Sequence, residues 1–519
     1  MKRATSILVF ILISLNIFSQ EVKPRIMESL SMHSNILNKD IKYSICLPEN
    51  YYKSKKPFPV VYLLHGLGDD ETAWIEYGCI NQIADKAVKD GEIVPMIFVI
   101  PQGFRTYYVN DYAGKFPYQD MFIKELIPFI DKQYKTIPDA NHRATLGYSM
   151  GGFGALILPL KNPDIIGTCV PLSISIRTDE QYMVEDASEW DKQWGSLFGG
   201  VGKTGVERLT DYFKQNYPFH IFQENDLSKL NNLKIYIDNG DDEHTLCRSN
   251  EELHILMSDK GIQHQFRVRN GGHEFSYWRD AVPNGLRFIS DAFESKSYRG
   301  DIKQEVKKTT LKQNQLISLS IKETSFNVFV PDEYNYSTRL YPVVYFAGNL
   351  NSNQKRLFSE VVNYRIQQGE ICPMLLVFLN NSHIITDSLL NGFENKLRIR
   401  DGYKFRSLIG YQDRANEVLC TELNKNQFGS CILSDPFLQK DSIVSLTSNL
   451  NSESLKKIVF YFDSPDKGKF YLGNGNLHMV LRDKDIQHEY RVREGNGGFD
   501  WMIENLPEIL DFVQNRFHR

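Results

Sequence analysis

Cysteine is scarce in this chain, with seven in 519 residues, and none forms a C-x-x-C pair or a metal-ligand spacing. Cys46, Cys79, Cys169, Cys247, Cys372, Cys420 and Cys431 are too few and too scattered for a disulfide framework or a structural zinc site. They read as mostly buried apolar thiols, with Cys247 left unassigned because it follows an acidic turn. Long hydrophobic runs are missing after the first twenty residues, so no later segment is expected to cross a bilayer. Neither sign of charge dominates: Lys and Arg number 60, Asp and Glu 64, and the net charge is −4. That balance gives no electrostatic attraction for nucleic acid or for an anionic membrane. Low-complexity tracts are absent as well. What is left is a soluble globular composition in a chain long enough for about two to four domains.

The amino terminus stands apart. Lys2 and Arg3 precede an almost continuous apolar run from Ile7 to Phe18, followed by Ser19-Gln20 and the charged Glu21 to Lys23. The run is short for a membrane span and has the layout of a cleaved export signal, expected over residues 1–20. No membrane association is expected after cleavage, and a secreted or periplasmic location follows.

The chain also repeats itself once. Lys42 to Tyr51 is echoed by Ser325 to Tyr334, Pro59 to Leu64 by Pro342 to Ala347, and Val94 to Val99 by Cys372 to Val377. Near the ends of the copies, Leu253-His254 and Asp259 to His264 match Leu477-His478 and Asp483 to His488. A period of about 200 residues means a duplicated domain, since solenoid units are far shorter. Residues 22–295 and 316–519 are therefore expected as two domains, joined by a Lys-, Ser-, Gln- and Asp-rich linker over 296–315. Within each copy, apolar runs such as Val60–Leu64, Met96–Ile100, Ala144–Gly147 and Ile235–Ile237 alternate with amphipathic stretches. One of these, Asp120–Gln133, puts Phe122, Leu126, Phe129 and Ile130 on one helical face. The alternation predicts an α/β class with a mostly parallel sheet covered by helices on both faces.

Chemistry enters at Gly147-Tyr148-Ser149-Met150-Gly151, a G-x-S-x-G between the strand-like Arg143–Leu146 and the helix-compatible Phe153–Leu160. Such a bend has no room for Cβ atoms at the glycines and thrusts the serine hydroxyl outward, ahead of a helix amino terminus that favours negative charge. A serine needs a base. His273 lies in a Gly-Gly-His loop after the strand-like Gln265–Val268, in the carboxy-terminal part of the copy, where the order Ser, acid, His places it. The acid is expected after the strand at Ile235–Ile237, in the turn Asp238 to His244. Spacing after Gly240 favours Glu243, with Asp242 as the alternative. Two oxyanion donors are expected from the amides of Met150 and of Leu67, the latter in the loop His65 to Gly68. His65 itself reads as loop scaffolding, and His254 and His264 as packing residues. Tyr107, Tyr108 and Trp278 are candidates for stacking a substrate ring.

Leu64 to Asp69, Gly147 to Gly152 and Gly271-Gly272-His273 together resemble the esterase D-like group, which includes the feruloyl and acetyl-xylan esterases of carbohydrate esterase family 1. The likeness spans about residues 38–295. It implies an α/β-hydrolase fold, a serine esterase working through an acyl-enzyme at Ser149, and no metal or other cofactor. It also supports Leu67 and Met150 as oxyanion donors. The group more often uses an aspartate as its acid, which keeps Asp242 open. Combined with export, the resemblance points to an acyl or feruloyl ester of a polysaccharide or oligosaccharide as the partner. An acyltransferase with the same triad, or a carbohydrate-binding protein without catalysis, are the competing readings.

The second copy resembles the same fold without its chemistry. Gln412 replaces the nucleophile, and ungapped alignment sets Gly497 opposite His273 and Lys467 opposite Glu243. It also lacks most of the aromatic-rich insertion Ser173–Asn231, which reads as a cap. The expectation is a non-catalytic scaffold or binding module, so that a fragment of residues 1–300 would keep its activity.

Overall fold

The computed structural model describes residues 23–517 apart from 225, 304, 336, 380–384, 426 and 440–458. The export signal expected over residues 1–20 therefore lies outside the described residues.

The first half contributes β1 (Ile26–Ser34), β2 (Lys39–Cys46), β3 (Val60–Leu64), β4 (Ile97–Pro101), β5 (Arg143–Tyr148), β6 (Thr168–Leu172), β7 (Lys234–Gly240) and β8 (Gln265–Arg269). The second contributes β9 (Leu316–Ile321), β10 (Thr324–Phe329), β11 (Val343–Ala347), β12 (Leu375–Leu379), β13 (Arg406–Tyr411), β14 (Ser430–Ser434), β15 (Val459–Pro465) and β16 (His488–Arg493). In the first half the order across the sheet is β1-β2-β4-β3-β5-β6-β7-β8, and from the opposite edge inward the second half repeats it as β9-β10-β12-β11-β13-β14-β15-β16. In each half the two amino-terminal strands are antiparallel and the remaining six run parallel. This is the α/β-hydrolase arrangement, built twice. β3, β4, β5 and β6 are buried along their whole length, which is why they read as unbroken apolar runs rather than alternating ones.

The halves join edge to edge. β8 pairs with β16 antiparallel, with Val268 opposite Val492. These two valines occupy the same place in the repeat, so an approximate two-fold axis passes between them, as in an isologous dimer. The surrounding contacts obey it. Arg267 Nη1 lies 2.6 Å from Asp466 Oδ2, and its mirror image, Arg491 Nη1 to Asp241 Oδ2, is also 2.6 Å. On one face of the sheet the apolar core is continuous across this junction, taking in Leu253, Phe266 and Val268 with Leu477, Tyr490 and Val492. On the other face each half has its own core, and between them lies a polar groove of about 820 Å³ bordered by Arg269, Asp301, Arg493 and Glu508.

The described residues of the segment 296–315 form no helix or strand, but they are not a loose tether. Asp301 accepts from Arg267 Nε at 2.9 Å and from Arg269 Nη2 at 3.1 Å, and Leu311 is buried. The expected helix at 120–133 begins at Tyr118 and runs to Gln133, with a wider π turn over Phe122–Leu126 just before Pro128. Proline brings no N–H to the helix and crowds the carbonyl one turn back, which a widened turn accommodates. No described helix is long and apolar enough to cross a membrane.

Candidate active site

β5 delivers the nucleophile candidate. Ser149 follows its last residue with φ +57° and ψ −120°, and helix α1 (Met150–Lys161) starts immediately after. A non-glycine residue held there costs about 1–3 kcal/mol and persists only where its surroundings insist on it. Here they do: Ser149 N–H donates to Leu172 O at 3.1 Å, and Ser175 N–H donates to Ser149 O at 3.1 Å. The flanking glycines make the bend sterically possible. A Cβ on Gly147 would lie 2.2 Å from Gly151 O, and one on Gly151 would lie 2.1 Å from Leu64 O.

The loop after β8 brings His273 to the hydroxyl, with Nε2 2.9 Å from Ser149 Oγ. The opposite ring nitrogen, Nδ1, is 3.2 Å from Glu243 Oε2. With the serine hydroxyl donating to Nε2, the proton resides on Nδ1 and is donated to the carboxylate. The Glu243 side chain is fully buried, while His273 is 39% exposed and so open to the cleft. Oε1 of Glu243 accepts from Gly240 N–H at 2.9 Å and from the Ser173 hydroxyl. The Ser173 hydroxyl in turn accepts from the Trp278 indole N–H at 2.8 Å, which leaves its own proton for Glu243. Asp242, the alternative acid, points away: its carboxylate is 55% exposed and pairs with Arg482 of the second half.

His65 is buried under the loop that crosses the elbow. Gly103 N–H donates to its Nε2 at 2.7 Å, so Nδ1 carries the proton and donates to Gly66 O at 2.8 Å. Burial lowers its pKa and keeps the ring neutral, as this pattern requires. A Cβ placed on Gly66 would be 3.4 Å from Ser149 Cβ, so the turn holding Leu67 passes directly over the nucleophile. Met150 is buried at the first position of α1.

The structure revises the reading of the three aromatic candidates. Tyr107, Tyr108 and Trp278 are 1%, 0% and 4% exposed and offer no ring face to a substrate. Tyr107 lies with its centroid 4.5 Å from that of Trp194, Tyr108 donates to His65 O, and Trp278 stacks on Tyr148 at 4.1 Å. They build the wall behind the site, Tyr107 and Tyr108 from the loop after β4 and Trp278 from the helix Phe275–Phe293, because large rings gain most by burial. The insertion over 173–231 packs on itself, with Tyr182, Trp190, Trp194, Phe198, Phe213 and Tyr217 all buried together. Cys247 is buried and its Sγ donates to Asp241 O at 3.3 Å; burial pushes its pKa up to about 12, which leaves the thiol protonated. Ser173 was not anticipated. Its only sequence signal is a small polar residue directly after the strand beside the elbow. Among the described residues no group of three His, Cys, Asp or Glu side chains is placed to hold a metal ion.

Comparison with known proteins fits this geometry. Residues 34–289 match the family described as "Putative esterase". This match spans just under half of the 519 residues. Over 131 residues it is 36% identical to an endo-1,4-beta-xylanase/feruloyl esterase of Xylanibacter ruminicola, a match covering 24% of this chain and only 18% of that relative. An acetyl esterase of Caldicellulosiruptor saccharolyticus is 23% identical over 286 residues, covering 50% of this chain and 97% of the relative. Among solved structures, a ferulic acid esterase is similar at 28% identity and a TM-score of 0.44, covering 51% of this chain and 97% of that one.

In the second half of the chain the elbow survives as backbone only. Gln412 stands where Ser149 does, with φ +50° and its N–H donating to Ser434 O at 3.1 Å. Its amide donates to Asp435 Oδ2 at 2.8 Å, and Gly498 N–H donates to the same oxygen at 2.9 Å. The ungapped pairing of Lys467 with Glu243 is corrected by the hydrogen bonds. Asp242 N–H donates to Gly271 O, and Lys467 N–H donates to the matching Gly495 O. Lys467 therefore matches Asp242, and Gly468 matches Glu243. The offset between the copies is one residue larger in β7 and β15 than in the strands that follow, which ungapped alignment cannot register.

Proposed function

We propose that residues 22–295 hydrolyse carboxylic esters through an acyl-enzyme on Ser149. The observation that carries this reading is the unbroken hydrogen-bond path from the Ser149 hydroxyl through His273 to the buried Glu243. As Ser149 Oγ bonds to the acyl carbon, its proton passes to His273 Nε2 and the carbonyl π electrons move onto oxygen. The amides of Leu67 and Met150 are the donors for that oxyanion. Collapse breaks the ester C–O bond, and the imidazolium returns its proton to the departing alcohol. Water, deprotonated by the same imidazole, then releases the acid. Glu243 holds the ring in one tautomer and balances the imidazolium charge without taking the proton.

The substrate class follows from the relatives' names and from the export-like amino terminus. An acetyl or feruloyl ester of a plant polysaccharide, met outside the cytoplasm, fits both. The test is turnover by the full-length protein of p-nitrophenyl acetate, p-nitrophenyl butyrate and methyl ferulate. Ser149→Ala is expected to lose at least ~1000-fold in turnover with the fold retained. An equally active Ser149→Ala protein would refute the assignment.

A further inference from the structure

The approximate two-fold axis sets a standard for the interface between the halves: each contact made by symmetry should occur twice. The buried pairs Arg267–Asp466 and Arg491–Asp241 satisfy it. Arg482 does not. Its guanidinium donates from the second half to Asp241 O and to the Asp242 carboxylate. The position matching Arg482 in the first half is Ser258, and the one matching Asp242 is Lys467, so the contact has no mirror image. It is made only on the side that carries the triad.

Asp241 shows what this contact reinforces. Its side chain is fully buried. Oδ1 accepts from Gly271 N–H, in the loop that carries His273, at 3.1 Å. Oδ2 accepts from Tyr490 N–H at 2.9 Å and from Arg491 Nη1 at 2.6 Å, both in the second half. One carboxylate thus ties together the acid turn, two residues before Glu243, and the base loop, two residues before His273. Its counter-charge comes from the other domain. Arg491 is itself fixed by Glu508 at 2.6 Å and Glu489 at 2.7 Å, so the charge cannot wander.

We infer that the second half is a clamp for the catalytic acid, with Arg491 and Arg482 as positioning residues that act through Asp241 and Asp242 on Glu243. This rests on the esterase reading above. It replaces the view of the second half as a catalytically indifferent module, and it gives a reason for a domain without a nucleophile to stay fused to one that has it. The 3.2 Å contact between His273 and Glu243 is long enough that a further slip of the acid turn would break it.

The experiment uses the full-length chain with p-nitrophenyl acetate, reading kcat, KM, circular dichroism and Tm. A misplacement of about 1 Å costs roughly 100-fold, so Arg491→Met is expected to lower kcat by about 10- to 100-fold with KM within about threefold. Arg491→Lys, which restores a charge, is expected to recover most of that loss. The less buried Arg482→Gln is expected to lower kcat by about tenfold. Asp466→Asn breaks the mirror-image pair and serves as the control: it should lower Tm but leave kcat within about twofold. Folded Arg491→Met and Arg482→Gln proteins with wild-type kcat would overturn the inference, as would an Asp466→Asn loss of kcat equal to that of Arg491→Met. If Arg491→Met does not fold, Arg482→Gln decides alone. An inactive wild type would instead overturn the esterase reading beneath it, which separates the two failures.

Discussion

Ser149 and His273 lie 124 positions apart, yet the sequence alone marks both members of this hydrogen-bonded pair. Each sits in a glycine-containing turn whose backbone demands are written in the local sequence. The acid was not legible to the same degree. Asp242 and Glu243 are adjacent carboxylates on one turn, and which one faces inward is decided by partners distant in the chain. Arg482 draws Asp242 outward, while Ser173 and Gly240 hold Glu243 inward. Replacing Glu243 by Gln keeps the shape but offers His273 no negative charge and allows the wrong tautomer. Glu243→Gln is expected to lower kcat by about 1000-fold or more, measured by steady-state turnover. Trp278 acts one bond further out: Trp278→Phe removes the donor that fixes the Ser173 hydroxyl and should cost a few-fold in kcat, on the order of one lost hydrogen bond. The three aromatics expected to stack substrate were misjudged for a related reason. A ring beside a site motif looks the same in sequence whether it faces the cleft or the core.

At the scale of elements, strands were easier to read than junctions. The apolar run at Val60–Leu64 is the whole of β3, and the runs at Ala144–Gly147 and Ile235–Ile237 are the centres of β5 and β7. Burial on both faces makes such strands uniform in hydrophobicity and therefore visible. The elbow between β5 and α1 was visible for the opposite reason, because two close backbone approaches allow only glycine. Gly147→Ala would set a Cβ 2.2 Å from Gly151 O and 2.9 Å from Leu64 Cβ, with no flexible side-chain end to yield. It is expected to cost at least about 2 kcal/mol in a denaturant melt, and the turnover with it, since the bend cannot open without moving Ser149. The histidine pairs are elements of packing. His254 Nδ1 lies 2.8 Å from His264 Nε2, and the second half repeats this with His478 and His488 at 2.9 Å.

For the whole molecule, the repeat declared two similar domains but not how they sit together. Edge pairing of β8 with β16 depends on side chains more than 200 residues apart, such as Arg491 and Asp241, and no local pattern encodes it. Breaking such a buried pair by removing one partner costs about 3–5 kcal/mol, so the junction is an integral part of the fold. Stability should also respond to acid in a defined sense. Burial pushes the His488 pKa down to about 4, below its ordinary value of about 6.5 in an unfolded chain. The unfolded state therefore takes up the proton first as pH falls, so this stability is present above about pH 6.5 and is lost between there and about pH 4. Tm of the wild type is expected to fall across that window, and that of His488→Asn to fall less steeply. Parallel curves would assign the acid sensitivity elsewhere.

The account as a whole stands on the reactivity of one hydroxyl, and a fluorophosphonate reagent reports it directly. Attack by Ser149 Oγ on phosphorus expels fluoride and leaves a stable covalent adduct visible by intact mass. One adduct is predicted per chain, on the peptide containing Ser149, absent from Ser149→Ala and much slowed in His273→Ala. An unlabelled wild type, or a label that persists on another residue in Ser149→Ala, would contradict it.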